Sequence, residues 1–153
     1  MEIVKGKKFL VTGGTGFLGK NLVKYVIDNG GEADYFGSSY NLSVVSESER
    51  AFTDFNKTYD YIIHAAVLQG AGEWPLKHKA EQFDTNCKIH ANTLACWNKY
   101  QPQAKFIGIG SSCSYPGAIE ELHEGDYWNG PMHESVDVYG LTKKVMTLRS
   151  LKS

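Results

Sequence analysis

The segment VTGGTGFLGKNLV, residues 11–23, decides how this sequence folds. It places Gly13, Gly16 and Gly19 at three-residue spacing, directly after a buried apolar run and directly before an amphipathic helical pattern. In a strand–turn–helix unit of this kind, one glycine permits the tight turn, one lets the backbone approach a pyrophosphate, and one lets the helix pack close to the strand. The helix N-terminus then offers N–H groups to phosphate oxygens. The segment predicts a dinucleotide-binding turn, with a turn used only for packing as the alternative.

Strand-like and helix-like segments alternate along the rest of the chain, without internal repeats. The predicted strands cover residues 7–13, 32–37, 59–67 and 104–110, and the predicted helices cover residues 16–29, 45–55, 77–100 and 138–153. This alternation predicts the α/β class, with a Rossmann-type doubly wound parallel sheet in a single domain over residues 1–153. Because no strand follows the last helix, we expect the sheet to lack its final strands.

Composition and charge narrow the function classes. The 153 residues carry a formal net charge of -1, which argues against a nucleic-acid or anionic-membrane partner. No apolar run approaches the ~20 residues of a membrane span, and the histidines show no metal-ligand spacing. The odd number of cysteines, Cys87, Cys96 and Cys113, argues against a disulfide framework and predicts reduced thiols in a cytoplasmic protein.

The end of the second predicted strand bears on the choice of cofactor. The chain there reads FGSSYNL, so Gly37, Ser38 and Ser39 bring no carboxylate to repel a 2′-phosphate, and the hydroxyls can donate to one. This favours NADP(H). Asp34 lies only a few residues away and the serines are also ordinary turn formers, so NAD(H) stays open.

Two further motifs place reactive groups near the same sheet edge. Tyr139 and Lys143 are four residues apart on the last predicted helix, so they share a face, and a cation beside a phenol lowers the pKa of the phenol. Ser111 and Cys113, in GIGSSCSYPG, stand where the fourth predicted strand ends. A Tyr–Lys pair alone is common on helices, but in combination with the glycine turn it indicates proton transfer beside a dinucleotide.

The motifs TGGTGFLG, HAA, GSSCSYP and YGLTK, in this order and spacing, together resemble the extended short-chain dehydrogenase/reductase superfamily of NAD(P)-dependent nucleotide-sugar epimerases and dehydratases. The SSC followed by YP most resembles its GDP-L-fucose synthase group, which implies 3,5-epimerisation and 4-keto reduction of a nucleotide sugar. A 4-epimerase or dehydratase of the same superfamily, and a non-catalytic dinucleotide-binding or assembly module, remain alternatives.

The resemblance implies roles for individual residues. Ser111 hydrogen-bonds the sugar carbonyl, Tyr139 protonates it, and Lys143 holds the nicotinamide ribose and lowers the pKa of the tyrosine. Cys113 exchanges protons at carbons next to the ketone, with a buried packing role as its alternative. The implied cofactor-binding residues are Gly13, Gly16, Phe17, Leu18, Gly19, Ser38, Ser39, Asn41, Leu42, Ala65, Ala66, Val67, Tyr139 and Lys143. Asn41 departs from the aspartate usual there but keeps an acceptor for adenine.

The resemblance also bears on length and assembly. Superfamily members run to roughly twice this length, with a substrate domain after the Tyr–Lys helix. We therefore expect the chain to be the cofactor-binding part of a larger enzyme, with weak NADP(H) binding and little turnover alone. The resemblance also implies a homodimer, formed by the face of the long helix around Asn86 and the face of the final helix, with coverage of the sheet as the alternative reason for apolar faces there.

Overall fold

The fold is a four-stranded parallel sheet covered by helices. A computed structural model describes residues 3–70, 72–117 and 119–151. Within those ranges the strands are β1 (Lys8–Thr12), β2 (Glu32–Phe36), β3 (Tyr61–His64) and β4 (Lys105–Gly108), and the helices are α1 (Phe17–Asp28), α2 (Val45–Thr53), α3 (Trp74–Lys77), α4 (Lys79–Tyr100) and α5 (Asp137–Ser150). The α/β class and the Rossmann-type sheet expected from the sequence are confirmed.

The sheet order brings the strand ends together. The strands lie in the order β2-β1-β3-β4 and all neighbouring pairs are parallel. Thr12 at the end of β1 is in register with Phe36 and with His64, and His64 is in register with Gly108. The chain order reverses between β1 and β3, and a crevice at such a point is where open α/β sheets bind ligands.

Apolar side chains alternate between the two faces of the sheet. Leu10 and Ile62 point to the face covered by α2 and α4, whereas Phe9, Val11 and Ile63 point to the face covered by α1. Leu10, Val11 and Ile62 are fully buried. Burial on both faces is typical of strands in a parallel sheet and explains why β1 and β3 read as continuous apolar runs.

Two predicted boundaries were wrong. The strand predicted to reach Val67 ends at His64, because the Ala66 N–H donates to the side-chain oxygen of Thr12 instead of to a backbone carbonyl. The long helix does not begin at Lys77, because His78 is non-helical and separates α3 from α4. The last predicted helix runs to residue 153, but residues 152–153 lie outside the described ranges.

None of the described helices combines the length and apolarity needed to cross a bilayer.

Candidate functional site

The glycines of the β1–α1 turn have separate structural roles. Gly13 has φ +69°, and a Cβ on it would lie 2.8 Å from the Cα of Ala66. A Cβ on Gly19 would overlap the carbonyl oxygen of Gly13. Gly16 meets only that oxygen, at 3.2 Å, and stands at the N-cap of α1. Gly13 therefore permits the turn, Gly19 permits the close packing of helix on strand, and Gly16 lets a ligand approach the backbone.

The N-terminus of α1 presents unpaired donors. The N-cap residue is glycine, so no side chain caps the helix, and the first turn holds no acidic residue. The helical hydrogen bonds begin with the Lys20 N–H, which donates to Gly16. The N–H groups of Phe17, Leu18 and Gly19 have no acceptor within the described part of the chain. Three aligned donors at the positive end of a helix suit a phosphate.

A cleft of about 820 Å³ runs along the carboxyl edge of the sheet. This is within the size range of small-molecule sites. Every residue predicted to bind the cofactor lines it except Ser39, namely Gly13, Gly16, Phe17, Leu18, Gly19, Ser38, Asn41, Leu42, Ala65, Ala66, Val67, Tyr139 and Lys143. Gly37, expected in the loop near the 2′-phosphate, also lines the cleft. The lining residues that the sequence analysis missed are Thr15, Tyr40, Leu68, Gln69, Thr85, Ile89 and Ile109.

The loop after β2 carries no free carboxylate toward the cleft. Asp34, which kept NAD(H) open in the sequence, accepts hydrogen bonds from Lys57 Nζ at 2.8 Å and from the Tyr59 hydroxyl at 3.0 Å. The Asp34 carboxylate is therefore already paired with other side chains of the fold. A cation that the sequence analysis did not expect lies near this loop. The Arg50 guanidinium of α2 is 5.6 Å from the ring centre of Tyr40.

Asn41 is only partly available to a ligand. Its Oδ1 accepts hydrogen bonds from the backbone N–H of Ser43 at 3.1 Å and from the Ser43 hydroxyl at 2.7 Å. The side-chain oxygen thus closes a local turn, which is a usual role for asparagine after a strand. The expected adenine acceptor is occupied, and the Asn41 side-chain NH₂ is the group left for a base.

Tyr139 and Lys143 lie together in the cleft, but their electrostatics differ from the expectation. The Lys143 Nζ stands over the Tyr139 ring, 5.7 Å from its centre. Burial raises the pKa of Tyr139, and the nearby Cys113 adds to this. The expected lowering is therefore wrong for this chain. Lys143 is 1% exposed, and burial lowers its own pKa to about 8.

The Ser111–Cys113 segment forms a tight turn against α5. The Ser111 Oγ accepts a hydrogen bond from the Cys113 N–H at 3.1 Å, capping the 3₁₀ turn Ser112–Ser114. A Cβ on Gly140 would overlap the carbonyl oxygen of Cys113, so α5 packs directly on this turn. Cys113 and Tyr139 both line a second pocket of about 60 Å³. Ser111 lines neither cavity.

A buried hydrogen-bonded row lies beneath the cleft. The Thr12 Oγ1 is 2.7 Å from His64 Nδ1, and His64 Nε2 is 2.8 Å from His90 Nδ1. Burial, with the Lys143 charge nearby, lowers the pKa of His64 well below its usual value and that of His90 to about 3. Both imidazoles are therefore neutral at physiological pH, and His64 is fully buried.

Fold and cleft together define a Rossmann-type nucleotide-binding domain. The chain belongs to the NAD dependent epimerase/dehydratase family, which it matches over residues 9–149.

Particular relatives narrow the comparison. The chain is 31% identical to a GDP-L-fucose synthase of Dictyostelium discoideum over 149 residues, which is 95% of this chain and 46% of that protein. The structure of a GDP-L-fucose synthetase from Naegleria fowleri superposes with a TM-score of 0.78 at 25% identity, covering 97% of this chain and 44% of that one. A second structure of that enzyme, bound to NADP, gives a TM-score of 0.76 at 26% identity, covering 93% of this chain and 42% of that one. The chain therefore spans a little under half the length of these relatives.

Proposed function

We propose that this chain is the cofactor-binding part of an NADP(H)-dependent nucleotide-sugar epimerase/reductase of the GDP-L-fucose synthase type, which carries out 3,5-epimerisation and 4-keto reduction. The observation that carries this proposal is the position of Tyr139. It lines both the large cleft beneath the free N–H groups of α1 and the small pocket that contains Cys113. A proton donor between a dinucleotide site and a thiol fits a reaction that combines keto reduction by the dinucleotide with epimerisation at the thiol.

Three features of the cleft support a pyrophosphate-containing cofactor with a 2′-phosphate. The unpaired N–H groups of Phe17, Leu18 and Gly19 supply donors for the pyrophosphate. The loop after β2 supplies the Ser38 hydroxyl, while Asp34 is paired elsewhere and does not repel a phosphate. The relative from Naegleria fowleri binds NADP in its crystal. We infer that NADP(H) is preferred over NAD(H).

The chemistry assigned to the side chains follows from their hydrogen bonds. NADPH, when bound, supplies the hydride for reduction of the sugar ketone. The Ser111 Oγ already accepts the Cys113 N–H, so its own proton is free to donate to the ketone oxygen. Tyr139 protonates that oxygen as the alcohol forms, and Lys143 is assigned to hold the nicotinamide ribose.

Cys113 is assigned the epimerisation step. A ketone makes its neighbouring carbons acidic, and a thiol in the pocket shared with Tyr139 can remove a proton there and return one. In the full-length enzyme, replacement of Cys113 by serine should abolish exchange of the sugar protons with solvent deuterium while keto reduction continues. Exchange at the parental rate would remove the main support for the fucose synthase type and favour a 4-epimerase or dehydratase of the same family.

Cofactor binding can be tested on this chain directly. When NADPH is titrated with the parent chain, we expect its nicotinamide fluorescence to rise and saturate. NADH should bind more weakly. A Gly16→Glu variant places a carboxylate at the open N-cap and should lose binding. Gly125→Glu is a matched control, because a Cβ there meets no atom within 4 Å and the residue does not line the cleft. Equal NADPH binding by the parent and Gly16→Glu would contradict the proposal.

We also propose that the protein is a cytoplasmic homodimer that acts on a nucleotide sugar. The three cysteines are free thiols, as expected in a reducing compartment. On α5, Leu141, Val145 and Leu148 follow helical spacing and are 41%, 44% and 49% exposed, which forms an apolar stripe suited to a partner helix. Sedimentation should show a dimer that Val145→Glu dissociates; a monomeric parent would refute the dimer.

A further inference from the structure

One side-chain amide that lines the pocket beside Cys113 has no hydrogen-bond partner among the described residues. Gln82 lies on α4, is 2% exposed, and lines the same pocket as Cys113 and Tyr139. Its backbone N–H donates to His78 at 2.9 Å, as α4 requires. Its side-chain amide makes no hydrogen bond to any residue in the ranges that the structure describes. A primary amide offers two donors and two acceptor positions. Among the described residues the fully buried side-chain atoms without a partner are His90 Nε2 and Thr93 Oγ1, so the Gln82 amide is accessible to a ligand in the pocket.

The charges around this pocket cancel. Lys79 Nζ donates to Asp137 Oδ1 at 3.0 Å and to the backbone oxygen of Glu134 at 2.7 Å. The two ionic side chains in the lining therefore neutralise each other, and neither is left to bind an ion. The pocket is unsuited to a phosphate and suited to a neutral group that can hydrogen-bond.

The remaining walls and the size limit what enters. Pro75, Val136 and Val138 give the pocket apolar walls. Its volume of about 60 Å³ equals the space of about two water molecules. A whole hexose is too large, whereas one edge of a sugar ring, with a hydroxyl on one side and C–H groups on the other, has the right size and polarity.

We propose that Gln82 is a specificity-determining residue, and that its amide binds a ring hydroxyl of the neutral sugar whose ketone lies between Tyr139 and Cys113. This inference rests on the proposed function, because it assigns the sugar to that site. A site built to pair a hydroxyl discriminates strongly against a sugar that lacks it, since the amide would again be left unpaired.

The test is NMR on the isotopically labelled chain with L-fucose as the probe. Gln82→Met retains the length and volume of the side chain and removes the amide, so the Gln82 NH₂ signal is assigned by its absence in this variant. Gln103→Met is the matched control, since the Gln103 amide donates to Gln101 at 2.9 Å and lies outside the pocket lining. L-fucose should shift the Gln82 signal saturably, and inorganic phosphate should not.

The variants separate recognition from structure. Gln82→Met should weaken L-fucose binding about tenfold, the value of one good hydrogen bond, without lowering the midpoint of urea unfolding. Gln103→Met should lower that midpoint and leave L-fucose affinity unchanged. A loss of stability in Gln82→Met would show that the amide is structural, and an unshifted Gln82 signal at saturating sugar would overturn the inference.

A separate measurement distinguishes this inference from the proposed function. NADPH affinity should be equal in the parent and in Gln82→Met, because Gln82 is outside the cleft lining. If the sugar shifts Gln82 but NADPH does not bind, the proposed function fails and the sugar site stands. If NADPH binds and L-fucose leaves Gln82 unchanged, the sugar site fails and the cofactor site stands.

Discussion

Replacement of Lys143 by methionine should stabilise the fold while removing a functional group. Lys143 is 1% exposed, its ammonium makes no hydrogen bond within the described residues, and its pKa is lowered by burial from 10.5 to about 8. At about 1.4 kcal/mol for each tenfold change in proton affinity, keeping this lysine charged in the fold costs about 3 kcal/mol at pH 7. Loss of the contact with the Tyr139 ring offsets about 0.5–1 kcal/mol of that.

The sign and pH dependence of this effect are specific. Below pH 8 the lysine is charged in both the folded and unfolded states, so the full cost applies. Between pH 8 and 10.5 the folded state releases its proton first, and the advantage of Lys143→Met should fall to about 1 kcal/mol at pH 10. Urea unfolding at pH 7 and pH 10, followed by circular dichroism, measures both values.

The neighbouring lysine provides the control. Lys144 is 8% exposed, and its Nζ lies 5.5 Å and 5.4 Å from the ring centres of Tyr127 and Trp128. Because its ammonium has partners, Lys144→Met should bring no gain in stability. Lys143→Met should also lose NADPH affinity, since Lys143 lines the cleft. A Lys143→Met chain less stable than the parent at pH 7 would refute the reasoning.

Three further outcomes follow from single contacts. Gly13→Ala should cost about 2–4 kcal/mol in urea unfolding, because φ is +69° and the new Cβ meets Ala66 at 2.8 Å; a loss under 1 kcal/mol would argue against that turn geometry. Below pH 6.5 the histidines of the unfolded chain bind protons, whereas His64 and His90 stay neutral in the fold, so the free energy of unfolding should fall as pH falls, by about 1.4 kcal/mol per pH unit for each imidazole. His90→Gln should halve that slope in urea titrations at pH 5–7. An unchanged slope would show that His90 does not contribute to the pH dependence. Asp34→Asn should lower stability without improving NADH binding, because Asp34 already pairs with other side chains; a gain in NADH affinity by fluorescence titration would place Asp34 in the cleft.

The fold was predictable because its signals are local. The glycine spacing after an apolar run, the alternation of strands and helices, and the uninterrupted apolar character of β1 and β3 all follow from neighbouring residues. The strand end at His64 was not predictable, since it depends on the Thr12 side chain taking the Ala66 N–H. That contact joins residues 54 positions apart.

The candidate site was predictable where motifs carry it and not elsewhere. Most cofactor-lining residues belong to short recognisable segments. Thr85 and Ile89 come from the side of a long helix, and such positions read as ordinary core. Gln82 gave no signal, because an unpaired amide is recognised only when every neighbour is known. The direction of the Tyr139 pKa depends on burial and on the nearby Cys113, which the four-residue spacing of Tyr139 and Lys143 does not determine.

The central claim is that the N-terminus of α1 binds the phosphates of NADP(H), and amide NMR tests it most directly. Titration of the labelled chain with NADPH should move the N–H signals of Phe17, Leu18 and Gly19 more than any others, saturably, and at lower concentration than NADH. Saturable shifts confined to the outer side of α1, around Lys20 and Lys24, or no shift at millimolar NADPH, would contradict the account.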